Sequence, residues 1–150
     1  MPNWCDNTLT ITGDMNSISL FRNRMQRQHE GEPTLSFNDF VPRPPEEEAN
    51  WYDWNCEHWG CKWDLHPPDT LITYDQTELT FVFRTAWSPP VAWVATVSGM
   101  FPSLRFSLEF DEAGMDFSGV RVFENEEVVE SSDGHSAFNM NGDEDAANLK

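Results

Sequence analysis

Residues 104–111 alternate strictly between apolar and polar side chains, and this pattern constrains the fold more than any other. Leu104, Phe106, Leu108 and Phe110 are separated by arginine, serine and glutamate, with aspartate at position 111. Successive side chains of a strand point to opposite faces, so the segment predicts a strand with one buried and one solvated face. Such a strand fits an antiparallel sheet that helices cover on one side only.

The rest of the chain supplies the other elements of such a fold. Asp14 or Asn16 can cap a first helix, and Ser88 followed by Pro89 predicts the start of a second. Residues 35–41 fit a short strand or an extended crossing. The predicted elements in chain order are a strand over 4–12, a helix over 15–29, a hairpin over 70–84, a helix over 89–101, a strand over 104–111 and extended segments over 115–123 and 127–129. This order predicts an α+β, ferredoxin-like split βαβ domain, with an antiparallel sheet, two helices on one face and an extra C-terminal strand.

The predicted domain covers residues 1–124 and carries an insertion over residues 42–68. Residues 125–150 are acidic and have little periodicity, so we expect a mobile tail there. The core should form where the buried faces of the strands and helices meet. Its predicted members are Leu9, Ile11, Ile18, Phe21, Met25, Phe81, Phe83, Trp93, Val97, Phe106, Leu108 and Phe110.

The insertion is rich in tryptophan. Four of the seven tryptophans lie in residues 51–64, WYDWNCEHWGCKWD, and their spacing follows neither a strand nor a helix, which predicts a long ordered loop. Most of these rings must pack against the domain, because exposing all of them would favour aggregation. They either cover an open end of the core or leave part of their surface free to bind a partner. The predicted binding residues are Trp51, Tyr52, Trp54, His58, Trp59 and Trp63, with Trp87 near them.

A formal net charge of −17 limits the partners of the chain, and residues 111–150 hold eleven of its 26 acids but two of its 9 basic residues. Nucleic acids and anionic membranes attract cationic proteins, so direct binding to either is disfavoured. RNA-recognition modules with this fold stack bases on aromatic residues of the open sheet face. The predicted open-face positions here carry none: Asp6, Thr8, Thr10, Thr80, Val82 and Arg84. We expect a basic protein surface as the partner, unless the acids serve only to keep the chain soluble.

Two groups of residues could carry chemistry. Cys56, His58 and Cys61, with Cys5 and His66 within reach, could bind zinc. Their spacing differs from that of paired zinc-binding motifs, so we expect neutral buried thiols and no metal or other cofactor.

Asp53, His58 and Asp64 form the second group, which would suit a small hydrolase or a metal-dependent enzyme. Carboxylates beside tryptophans more often accept indole or backbone N–H groups. The sequence has no nucleophile–base signature, Gly-rich phosphate loop or dinucleotide fingerprint. We therefore interpret the chain as a non-enzymatic interaction module, with the enzyme as the alternative.

The cellular location follows from three features. Cys5 lies far in sequence from the other two cysteines, which disfavours a disulfide framework. The chain has no apolar run near the ~18 residues of a membrane span, and its first residues lack the regions of a signal peptide. We expect a cytoplasmic protein that does not bind membranes.

Five pieces spread over most of residues 1–119 carry a family likeness: MPNWCDNTLTITG, FVPRP, WYDWNCEHWGCKWD, TAWSPP and FPSLRFSLEFDEAGMDFSG. With these pieces the chain resembles the YubB ferredoxin-like family, proteins of unknown function from plasmids and bacteriophages. The resemblance implies the same fold class, a mobile-element origin and a bacterial cytoplasm as the location. It brings no established catalytic residues. One function that fits this origin is a nucleic-acid mimic that occupies the DNA or RNA channel of a host enzyme.

Overall fold

The computed structural model describes residues 3–28, 35–65 and 70–137. Its strands are β1 (Trp4–Thr12), β2 (Leu71–Tyr74), β3 (Glu78–Ala86), β4 (Arg105–Glu112), β5 (Phe117–Glu124) and β6 (Glu127–Gly134). Its helices are α1 (Met15–Gln28), α2 (Phe37–Phe40), α3 (Trp51–His58) and α4 (Val91–Met100), and a 3-10 helix over Pro45–Asn50 runs into α3. The strands form one antiparallel sheet in the order β2-β3-β1-β4-β5-β6. The first four strands, with α1 after β1 and α4 after β3, give the predicted split βαβ arrangement.

Strand β1 lies between β3 and β4 and sets the core. Leu9 is opposite Phe81 on β3 and Leu108 on β4, and all three side chains are fully buried. Buried residues alternate with more exposed ones along β1, as expected for a strand with one covered face. Every predicted core residue is buried: Leu9, Ile11, Ile18, Phe21, Met25, Phe81, Phe83, Trp93, Val97, Phe106, Leu108 and Phe110.

Helix α1 begins where the sequence predicts. The Asp14 carboxylate accepts bonds from the backbone N–H of Ser17 at 3.0 Å and from its hydroxyl at 2.8 Å, so Asp14 rather than Asn16 is the cap. These bonds lower the pKa of Asp14, because they favour the ionised carboxylate. On the buried face of α1, the ring of Phe21 stacks on Phe40 with the centroids 4.8 Å apart. This contact brings α2 into the helical layer.

Residues 35–41 do not form the predicted strand or extended crossing, because 37–40 are helical. Phe37 and Phe40 are both buried. Residues three apart share one face of a helix but lie on opposite faces of a strand. A single helical turn therefore places both rings in the core.

The predicted start of α4 at Pro89 is wrong, since the helix begins at Val91. Pro89 is followed by Pro90, and a residue that precedes a proline avoids the helical conformation. Ser88 is not the cap, because its hydroxyl donates to the backbone carbonyl of Gly60 at 2.6 Å. This bond joins the start of α4 to residues 51–64, which we call the tryptophan-rich segment.

Ordered structure extends past the predicted domain end at residue 124. Residues 125 and 126 form a turn with positive φ. Seven of the eight residues of β6 then pair with β5, so 127–134 are not part of a tail. The extended segment predicted over 127–129 is the beginning of this strand. All eight residues of β6 are exposed, so no alternating apolar pattern marks its continuation to residue 134. The rest of the predicted tail, residues 138–150, lies outside the described residues.

Gly60 offers a test of the contact between the tryptophan-rich segment and α4. Its φ is +91°, and a Cβ there would lie 3.1 Å from both the Pro89 carbonyl oxygen and the Val91 nitrogen. We expect Gly60→Ala to lower the free energy of unfolding by about 1–3 kcal/mol, measured by denaturant titration. In Gly134→Ala the nearest atom is the Ser118 hydroxyl at 3.7 Å, so the change should stay within about 0.5 kcal/mol. Equal unfolding midpoints for the two variants would contradict this account.

Candidate functional site

Eight of the fourteen residues of the tryptophan-rich segment, 51–58, form helix α3, so the predicted long loop is wrong for most of its length. The buried residues of α3 are Trp54 and the polar Asn55, so the helix has no continuous apolar stripe. The Asn55 side chain donates to the Lys62 carbonyl at 2.8 Å and accepts from the Arg43 guanidinium at 2.9 Å. An amide in the buried position removes the helical periodicity from the sequence.

Two of the predicted binding residues, Trp54 and Trp59, belong to the core, with 8% and 2% of their surface exposed. Their rings meet edge to face with the centroids 5.5 Å apart. The indole N–H of Trp59 donates to the Val41 carbonyl at 2.9 Å. His58 stacks on Trp54 at 4.2 Å, and its Nδ1 lies 3.0 Å from the Trp54 carbonyl oxygen. These two indoles hold the segment on the domain and leave little surface for a partner.

The other predicted aromatic residues present more surface. Tyr52 is 48% exposed and packs edge to face on the half-buried Trp51. Trp63 is 41% exposed, and the ammonium of Lys62 lies 4.4 Å from the centroid of its ring. Trp87, also exposed, follows β3 with a φ of +74°. Of the seven predicted residues, these keep surface that a partner could contact.

A cleft of about 760 Å³ lies between Trp63 and the open face of the sheet. Its other aromatic wall is Trp4, whose ring centroid is 6.5 Å from that of Trp63. Val82 and Arg84 of β3 also line the cleft. So does Thr70, whose buried hydroxyl oxygen has no hydrogen-bond partner among the described residues. We call this feature the aromatic cleft.

Trp4 was missed among the predicted site residues, although the alternation of β1 places it on the same side as Asp6 and Thr8. It is 41% exposed and pairs with Ala86 at the end of β3. The open face therefore carries an aromatic residue at one end, contrary to the expectation from its central positions. The alternation along β1 indicates that Trp4 lies on the open face. It does not indicate that the ring of Trp63, from a distant segment, lies beside it.

The open face carries an excess of acids. Asp6 accepts a bond from the Arg84 guanidinium at 3.0 Å, and Arg105 pairs with Glu124 at 2.7 Å and also with Glu130. Strand register places seven acids and two arginines on this face: Asp6, Glu78, Glu109, Asp111, Glu124, Glu127, Glu130, Arg84 and Arg105.

The opposite layer includes basic residues of α1. The guanidinium of Arg22 lies 4.0 Å from the centroid of the Tyr74 ring, and that of Arg24 lies 4.8 Å from the centroid of Phe40. Helix α1 contains no acidic residue. Helix α1 therefore presents positive charge on the layer opposite the acidic open face.

The carboxylate of Asp64 is hydrogen-bonded to three backbone N–H groups. It accepts bonds from the backbone N–H groups of Phe37 at 2.6 Å, Asn38 at 3.0 Å and Leu65 at 2.7 Å. It also accepts from the hydroxyl of Ser36 at 2.7 Å. These bonds satisfy the free N–H groups at the start of α2, which is the role of a helix cap.

The alternative catalytic group is not assembled. Asp53 is exposed in the first turn of α3, and His58 ends that helix. Five positions along a helix turn a side chain by about 140°, so the two diverge. Asp64 is used as the cap of α2. The three side chains do not form a common site.

The three cysteines lie in different environments. Cys5 and Cys61 are buried, whereas Cys56 is exposed. Burial raises the pKa of the Cys5 thiol to about 12 and also raises that of Cys61. Across residues 3–28, 35–65 and 70–137, no three His, Cys, Asp or Glu side chains are grouped to hold a metal ion. His66 lies outside the described residues.

Replacing the Asp64 cap should destabilise the domain. We expect Asp64→Ala to reduce the free energy of unfolding by about 1–3 kcal/mol, because four donors lose their acceptor. Asp53→Ala removes an exposed carboxylate of α3 and should change the stability by less than about 0.5 kcal/mol. Urea unfolding of both variants measures the difference, and a neutral Asp64→Ala would show that the cap is dispensable.

Thiol labelling should separate the cysteines. We expect a maleimide to modify only Cys56 in the folded protein, because the thiolate is the reactive form and the other two thiols are buried with raised pKa values. Mass spectrometry should find one label before unfolding and three after it. Rapid native labelling of Cys56→Ser would contradict the assignment.

None of the helices in the described segments is both long and apolar enough to cross a membrane.

Comparison with known proteins agrees with this fold. No curated protein matches the chain. The crystal structure of a protein api92 from Yersinia pseudotuberculosis is similar with a TM-score of 0.60, at 10% identity over 91% of this chain and 99% of that one. That likeness confirms the predicted ferredoxin-like fold alone.

A family model described as a ferredoxin-like domain in Api92-like protein matches residues 58–150. The YubB name and the plasmid or phage origin stay predictions. Since the match covers more than half of the chain, the protein belongs to the family of ferredoxin-like domains in Api92-like proteins.

Proposed function

We propose that the domain is a non-enzymatic interaction module that binds a basic protein surface with the open face of its sheet. One observation carries this proposal: the acidic open face runs without a break into the aromatic cleft. Asp6 and Val82 line both the cleft and a shallow groove, which also contains Glu109 and Asp111 of β4. A partner on this face would meet negative charge and an aromatic anchor at once.

The charges suit recognition of a cationic surface. Glu109 is exposed in the middle of the face, and Glu78 is exposed at the start of β3. Complementary charge speeds the encounter of two proteins and orients them, and this effect weakens as salt is added. The same charge repels phosphates, so the proposal does not include direct binding of nucleic acid.

The aromatic cleft suits the role of an anchor. Trp4 and Trp63 each leave 41% of their surface exposed, although aromatic surface gains free energy when it is buried. Tryptophan is enriched among the residues that dominate binding energy at protein interfaces. The proposed anchor is therefore Trp4 with Trp63, and it excludes the predicted binding residues Trp54 and Trp59, which are buried.

The sequence resemblance suggests a more specific form of this proposal. In a plasmid or phage protein, the basic surface would be one that normally binds DNA or RNA in a host enzyme. The carboxylates of the open face would then take the place of phosphates.

Charge reversal tests the position of the binding face. Glu78 and Glu109 are exposed on it, whereas Glu46 and Glu57 are exposed on the 3-10 helix and α3. Wild-type protein should capture basic proteins from a bacterial lysate at about 50 mM salt and release them at about 300 mM. Glu78→Lys with Glu109→Lys should abolish the capture, and Glu46→Lys with Glu57→Lys, an equal change in net charge, should retain it. An equal loss in both double variants would contradict a defined face.

Removing the anchor tests the cleft. We expect Trp4→Ala to weaken binding of a captured protein at least about tenfold in a titration at fixed salt. Tyr52→Ala is the matched control, because Tyr52 is 48% exposed but does not line the cleft. Equal affinities for the two variants would remove the anchor from the proposal.

A further inference from the structure

Within residues 3–28, 35–65 and 70–137, no strand pairs with the outer side of β6. It is the last strand in the sheet order, and all eight of its residues are exposed. An edge strand presents unpaired N–H and C=O groups along its outer side, and an extended peptide can add to them as a further strand. We propose that an extended basic segment of the partner pairs with β6 as a seventh strand. This inference rests on the proposed function and specifies the shape of the partner.

Both ends of β6 are fixed, so the edge is formed before a partner arrives. At the first end, the backbone N–H of Glu126 donates to the Ser98 hydroxyl of α4 at 2.9 Å. Past the other end, Asp116 accepts the backbone N–H of Ser136 at 3.1 Å, and Asp111 accepts that of Ala137 at 2.9 Å. A strand that is already ordered loses less conformational entropy on binding than a disordered segment does.

The negative charge of the β5–β6 hairpin favours the binding of a basic strand. Five acids lie between residues 124 and 134, and the two arginines that contact them, Arg105 and Arg121, leave a net charge of −3. Two copies of β6 would bring like charges together, which is unfavourable across paired strands. A lysine-rich or arginine-rich strand would reduce this repulsion.

The other edge of the sheet is less suitable. Strand β2 has four residues, half the length of β6. At the end of β2 the guanidinium of Arg22 lies over the ring of Tyr74, 4.0 Å from the centroid, and the sequence of α1 has three arginines and no acid. This positive charge would repel a basic segment, so the observations favour β6.

The two faces of β6 predict a pattern for the added strand. Register places Glu130 and Ser132 on the open face and pairs Val128 with Phe123, whose side chain is in the core. A shift in register follows Val122, and Val128 and Val129 are 53% and 44% exposed. Basic side chains of the partner would therefore lie on the acidic open face, and apolar ones beside the valines.

Two synthetic peptides test this pattern with the full chain. The first has eight residues alternating lysine and valine. The second alternates lysine and proline, so it has the same charge but lacks the backbone N–H at every second residue and is a poor strand former. We expect the lysine–valine peptide to bind at least about tenfold more tightly and to slow amide hydrogen exchange in β6 but not in β2. Glu127→Lys should weaken this binding severalfold, whereas Glu57→Lys, on α3, should not.

Equal affinities for the two peptides, or protection of β2 in place of β6, would overturn strand addition. The proposed function would survive that result if capture of basic proteins still depended on Glu78 and Glu109. Loss of both peptide binding and face-dependent capture would remove the proposed function as well.

Discussion

The Asp64 carboxylate is the interaction on which the candidate site depends. Its bonds to the start of α2 join two segments separated by 27 positions, and they fix the residue that follows Trp63. Helix α2 then packs into the core, because Phe37 contacts Trp93 with the ring centroids 5.0 Å apart. The indole N–H of Trp93 donates to the Phe37 carbonyl at 3.0 Å. A carboxylate that resembles a catalytic group in the sequence is therefore a joint between the insertion and the domain.

This joint explains why the tryptophans of the insertion divide into two sets. Trp54 and Trp59 are buried against the domain, and Trp93 donates its backbone N–H to the Trp59 carbonyl at 3.2 Å. Their burial offsets the entropy lost in ordering a long insertion. Trp63 follows the turn at Gly60. Its ring lies outside the core, beside Trp4 at the open face of the sheet. Trp54 and Trp59 therefore pack in the core, whereas Trp63 keeps surface that a partner could contact.

Sequence predicted the parts of the fold in which side-chain pattern and packing agree. Phe106, Leu108 and Phe110 are apolar because they are buried beneath the helices, so their alternation with polar residues can be recognised in the sequence. Helix α3 has a buried amide in place of an apolar stripe, and β6 is exposed on both faces, so neither leaves a periodic signal. Within the site, the sequence alone was enough to nominate the seven aromatic binding residues. The pairing of Trp63 with Trp4 depends on tertiary structure, so the sequence could not predict it.

The acidic face contains a repulsion that the fold tolerates. Asp6 of β1 is directly opposite Asp111 of β4, and like charges in that position are unfavourable. Arg84 of β3, on the other side of Asp6, offsets part of this cost, and Asp111 accepts bonds from Ser136 and Ala137. A bound cationic partner would reduce the remaining repulsion, and a ligand that binds only the folded state stabilises it. On the proposed function, therefore, the charge that destabilises the free domain contributes to the free energy of binding.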